Sequence, residues 1–145
     1  MKYDGSDEQF DSSNEPYRRV WTKSIKDMEY GHIYENIDIL LVPLTDTKFN
    51  NQKSALKFVE AGFTNTAVIS SNVPPYSDYG VDYRDCIFVD KPTPKCWAEV
   101  IEGIVNRPDK LKLITRNLRE KALDLNEAEK ITKKRGALYE KIMNS

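Results

Sequence analysis

Residues 37–70 read IDILLVPLTDTKFNNQKSALKFVEAGFTNTAVIS. Ile37–Pro43 is apolar and almost unbroken, the pattern of a strand covered on both faces, as in a parallel sheet. Pro43 ends it, since proline has no N–H to give a sheet. Leu44–Phe49 reads as a loop and residues 52–63 as a helix. Thr66–Ser70 is a second buried strand. The chain then runs through a stretch dense in turn formers to Asp85, and Cys86–Val89 is a third short strand. Strand, helix and strand in alternation predict an α/β domain with a parallel sheet.

Outward from this centre, residues 1–19 are polar and read as a lead-in, and residues 20–145 as one domain. Ser24–Asn36 suits a short helix capped by Ser24, with Met28, Ile33 and Tyr34 facing inward. On the C-terminal side, Pro94 fits a first helical turn, followed by Trp97, Val100, Ile101 and Ile104 at helical spacing. Pro108 breaks that helix. Leu111, Ile114, Leu118, Ala122 and Leu125 form a second stripe, and Ala128, Ile131, Leu138 and Ile142 a third. Two or three strands are few for a doubly wound sheet. A nucleotide-binding half normally opens with a strand, a glycine-rich turn and a helix, and none of the six glycines forms such a turn. The chain therefore reads as the later part of a larger, Rossmann-like α/β domain with a helical C-terminal tail.

Composition narrows the function classes. Lys and Arg number 22 against 23 Asp and Glu, a net charge of −1, which gives no global field for nucleic acid or an anionic membrane. No apolar run approaches the roughly 20 residues of a spanning helix. The polar, acidic start MKYDGSDEQF does not read as a signal peptide. Cys86 and Cys96 lack metal-ligand spacing and fit reduced thiols. The single histidine, His32, lies well before the helix of interest and reads as a structural or surface residue.

Within residues 52–63, Lys53, Lys57 and Glu60 fall at i, i+4 and i+7, on one helix face. The helix starts at the carboxyl edge of the sheet, where ligands of open α/β folds bind and where free N–H groups favour an anion. Two readings stay open on spacing alone. One is a solvated ion-pair face. The other is a binding helix on which Lys53 and Ser54 meet a diphosphate while Glu60 accepts bonds from ribose hydroxyls.

The stretch Tyr34–Tyr76 resembles the C-terminal, nucleotide-sugar-binding domain of GT-B glycosyltransferases of the group 1 class. The residues that carry the resemblance are Asp38-Ile39, Pro43-Leu44, Phe49-Asn50, Lys53-Ser54, Leu56-Lys57-Phe58, Glu60, Ser70 and Pro75-Tyr76. It implies that Glu60 binds the nucleotide ribose as the second acid of a Glu-x7-Glu pattern. The first acid position is Gln52 here, a departure from that pattern. It also implies that Lys53 and Ser54 lie near the sugar or diphosphate, that Asn50 and Tyr76 line the donor site, and that Lys57 is structural.

The implied activity is transfer of a sugar from a nucleotide-diphosphate sugar to a glycan or polysaccharide acceptor, with no cofactor and no catalytic metal. The acceptor, a glycan or a lipid-linked species, is reached through an N-terminal domain or partner chain that this sequence lacks. The chain alone is then inactive, or the donor-binding subunit of a split transferase, or a non-catalytic binding module of the same fold. The expected location is cytoplasmic, with at most peripheral contact at the inner face of the membrane and no nucleic-acid partner.

Overall fold

The computed structural model describes residues 32–34 and 36–144, which fall within one unit, Gly31–Ser145. Three parallel strands form the sheet: β1 (Ile39–Val42), β2 (Ala67–Ser71) and β3 (Ile87–Val89), in the spatial order β1-β2-β3. The register aligns Ile39 with Ala67 and Val42 with Ser70, then Ile69 with Ile87 and Ser71 with Val89. Helix α1 (Leu56–Phe63) crosses from β1 to β2, and the one-turn helix α2 (Tyr76–Tyr79) lies between β2 and β3. Helices α3 (Pro94–Val105), α4 (Pro108–Asn126) and α5 (Ala128–Met143) complete the chain. All three expected strands are present, displaced by one or two residues.

β2 is buried along its whole length, so its alternating side chains feed two separate cores. Val68 packs with Phe58, Ala61, Tyr76, Cys86 and Leu118 on one face. Ile69 packs with Ile87, Val89, Ile104 and Ile114 on the other. Helix α4 supplies Ile114 to one core and Leu118 to the other, and so ties the two layers together. Pro94 and Pro108 each open a helix, as a residue without an N–H does at no cost in the first turn. Thr93 caps α3 by accepting a bond from the Cys96 N–H at 3.3 Å.

A close approach locks α1 onto α4. A Cβ at Gly62 would lie 2.5 Å from the Ala122 Cβ and 3.0 Å from the Leu118 carbonyl oxygen. A buried polar staple secures the β2–β3 connection. Asp85 accepts from the Val81 N–H at 2.7 Å and from the Lys121 ammonium at 3.1 Å, while Lys121 also donates to the Tyr79 carbonyl. The carboxylate is thus buried with its charge paired and its oxygens bonded.

Three expectations are altered. The helix read over residues 52–63 is divided. Asn50–Gln52 forms a 3-10 turn, Lys53 is extended at φ −73° and ψ 165°, and the α-helix starts only at Leu56. Side chains of the preceding loop are the cause. Asn50 donates to the Thr45 carbonyl at 2.8 Å, the Thr47 hydroxyl accepts from the Asn50 N–H at 3.1 Å, and Asn51 donates to Asp46 at 2.8 Å. Such local bonds compete with helical ones. Lys53 therefore does not share the helix face of Lys57 and Glu60.

The second alteration concerns α5, whose apolar stripe is not a core: the helix has no buried residue, and Leu138 is 54% exposed. The third concerns Ser24–Asn36, most of which lies outside the described residues. His32–Tyr34 forms a single 3-10 turn, with Tyr34 buried and His32 exposed.

The Gly62 contact gives a stability prediction. Gly62→Val should lower the urea unfolding free energy by about 1–3 kcal/mol through overpacking. Gly103→Ala, where nothing lies within 4 Å of the added Cβ, should leave it unchanged or raise it by about 0.5–1 kcal/mol.

Candidate functional site

β1 delivers the chain to the carboxyl edge of the sheet, and residues 43–55 form the loop from which α1 descends. Helix α1 has no side-chain cap, and no described carbonyl accepts from the Leu56 N–H. The Leu56 N–H and the positive end of the helix dipole therefore lie at this edge. Lys53 and Ser54 sit just ahead of them, both exposed. The Lys53 ammonium lies 5.3 Å from the centre of the Phe49 ring, and Phe49 is itself exposed.

Glu60 lies one turn into α1, about 6 Å along the axis from its first residue at 1.5 Å per residue. Its Oε2 accepts from the Tyr34 hydroxyl at 2.6 Å and from the Lys57 ammonium at 2.9 Å. The Lys57 ammonium is also 3.5 Å from the Tyr34 hydroxyl, so the three groups form a closed triangle. Among the described residues nothing donates to the other oxygen, Oε1. The Glu60 side chain retains 21% of its exposure. The carboxylate is thus held rigidly by one oxygen and open at the other.

The remaining expected residues fall in two places. Asn50 is spent on loop closure through its Nδ2 and backbone N–H, and it positions the segment ahead of α1. Tyr76 is a core residue, 5% exposed, with its ring 5.2 Å from that of Phe58 at an interplanar angle of 16°. Its ring therefore offers no platform for a base. Burial raises its hydroxyl pKa, partly offset by the nearby Lys57.

The structure brings Glu60, Lys57 and Tyr34 together and leaves Lys53 and Ser54 on the loop above. The sequence reading missed Tyr34 as the group that orients Glu60. It lies 26 residues upstream, and only its inward-facing position in the pattern pointed to it. Among the described residues no group of three or more His, Cys, Asp or Glu is placed to hold a metal ion. No helix among them is long and apolar enough to cross a membrane.

Three parallel strands with helices on both faces and a long C-terminal helix give this unit the fold of part of a GT-B C-terminal domain. The particular likeness is to the crystal structure of the C-terminal domain of LpcC, a glycosyl transferase group 1 family protein from Francisella tularensis. The two share a TM-score of 0.61 at 15% sequence identity, over 74% of this chain and 53% of that one. The chain thus spans about half the length of that domain. Its sequence matches no protein-family model and no curated protein.

The buried ionisable groups below the site give a pH prediction. Burial, with the charges of Asp85 and Asp82, pushes the Cys86 thiol far above its ordinary 9.0, and burial also raises Tyr76 and Tyr79 above 10.0. The unfolded thiol loses its proton near 9.0 while the folded one keeps it. Stability is therefore full below that value and declines as pH rises, by about 1.4 kcal/mol per pH unit for one such group. Urea midpoints measured from pH 7 to 10.5 should fall only above pH 9. In the native chain a thiol reagent should modify the partly exposed Cys96 and spare Cys86.

Proposed function

We propose that this chain binds a nucleotide-diphosphate sugar at the start of α1 and forms the donor-side part of a glycosyltransferase. Glu60 is the observation that carries the reading. Its carboxylate is fixed through Oε2 by Tyr34 and Lys57 and keeps Oε1 for a ligand. A ribose hydroxyl is a suitable donor to such an oxygen, because a bond to a charged, already oriented acceptor costs little reorganisation. The Leu56 N–H at the start of α1, together with Lys53 and Ser54, then receives the diphosphate.

The reaction is displacement at the anomeric carbon of the sugar. The bond to the phosphate oxygen breaks, the nucleotide diphosphate leaves with the electron pair, and an acceptor hydroxyl forms the new bond. The contribution of this chain is to hold the donor and to stabilise the charge on the departing diphosphate. The acceptor, a glycan or a lipid-linked species, is handled by protein outside these residues. The likeness to a group 1 glycosyl transferase domain supports this reading at the level of fold.

Calorimetric titration with UDP-glucose and GDP-mannose tests the assignment. The folded parent chain should bind at least one of them, and Glu60→Ala should weaken binding by about 10–100-fold, the loss expected for a bond to a charged group. Equal affinity in parent and variant would remove Glu60 from the site. Absence of binding to the folded parent would sink the donor-site reading.

A further inference from the structure

β1 has the residues of an interior strand and the position of an edge strand. Its sequence, Ile-Leu-Leu-Val, carries no lysine, proline or bulge of the kind that blunts natural sheet edges. The Asp38 carbonyl accepts from the Ala67 N–H at 3.0 Å, which turns the backbone groups of Asp38, Leu40 and Val42 toward β2. Alternation then turns the N–H and C=O of Ile39 and Leu41 to the opposite side, where no described residue meets them. Leu41 is 46% exposed. Beneath the start of the strand runs an open groove of about 610 Å³, lined by Ile39, Val105 and Leu111 together with one acidic residue, Asp38, and two basic ones, Lys112 and Arg116.

We propose that the free edge of β1 is a docking site for an apolar strand from a partner polypeptide, an α/β element that extends the sheet in parallel beyond β1. Its backbone pairs with Ile39 and Leu41, its apolar side chains enter the groove, and its carboxylates face Lys112 and Arg116. The backbone groups select an extended chain over a helix or a small molecule, because they present donors and acceptors in ladder spacing. The near-continuous apolar run selects a parallel neighbour, since strands of this composition occur where both edges and both faces are covered. A second copy of this chain related by a two-fold axis would pair β1 antiparallel with itself, and it fits this pattern less well.

Amide hydrogen exchange in the 145-residue chain, followed by NMR, tests the proposal with a Val- and Ile-rich peptide flanked by glutamates. Exchange at Ile39 and Leu41 should slow by about tenfold or more on peptide addition, while Leu40 and Val42, which pair with β2, stay as they were. A proline-containing analogue should give no protection, and a lysine-flanked one should require higher concentration. Leu41→Lys, a change at an exposed side chain, should abolish the effect without altering the circular dichroism spectrum. Unchanged exchange at Ile39 and Leu41 under millimolar glutamate-flanked peptide overturns the proposal, as does full protection in Leu41→Lys. Protection of the same amides in peptide-free protein that sediments as a dimer would assign the edge to a second copy and likewise overturn it.

Discussion

The close contact between α1 and α4 governs most of what this molecule does. With hydrogen at Gly62, the helices approach until the Ala122 methyl and the Leu118 carbonyl fill the space a side chain would take. That approach seats Phe58 and Ala61 against Val68 and Leu118. It also fixes the rotation of α1 about its own axis. Because Phe58 and Ala61 must face inward, Lys57 and Glu60 are turned toward Tyr34, and the helix start is aimed at the open edge of the sheet. The packing of a buried face thus sets the orientation of the polar face, and a functional site placed on α1 inherits its precision from the core beneath it.

The Glu60 triangle illustrates how a bland ion pair differs from a prepared carboxylate. A lysine and a glutamate three residues apart on a helix ordinarily form a solvated pair worth little. Here the buried hydroxyl of Tyr34 adds a second donor to the same oxygen. The carboxylate loses its rotational freedom and keeps one acceptor oxygen. A ligand that uses it pays no ordering cost for the side chain, which is the physical meaning of preorganisation at a binding site.

The sheet shows the opposite situation, a feature built but left without a partner within the described residues. β2 is buried from end to end, whereas β1 keeps an exposed edge of the same apolar character. The chain covers 53% of the LpcC domain whose fold it resembles. Helix α5, with its exposed Leu138 and Tyr139, carries the same signature at the other end of the chain.

Residues 37–70 were enough to determine the strand–helix–strand order, the parallel sheet and the two buried faces of β2. Each rests on local periodicity and on proline placement, which act within a few residues. Glu60 was legible as a candidate site residue, as one of two readings until a family resemblance tipped the balance. Tertiary structure decided the rest. The loop side chains of Asn50 and Asn51 withdrew Lys53 and Ser54 from the helix, an outcome set by bonds to Thr45, Thr47 and Asp46 rather than by helical propensity. The stacking of Tyr76 on Phe58 moved a supposed ligand contact into the core. Tyr34 reached Glu60 across 26 residues of chain, and no periodic pattern encodes a contact of that separation. Periodicity fixes which side of an element is apolar. Only the packed structure fixes what each polar side meets.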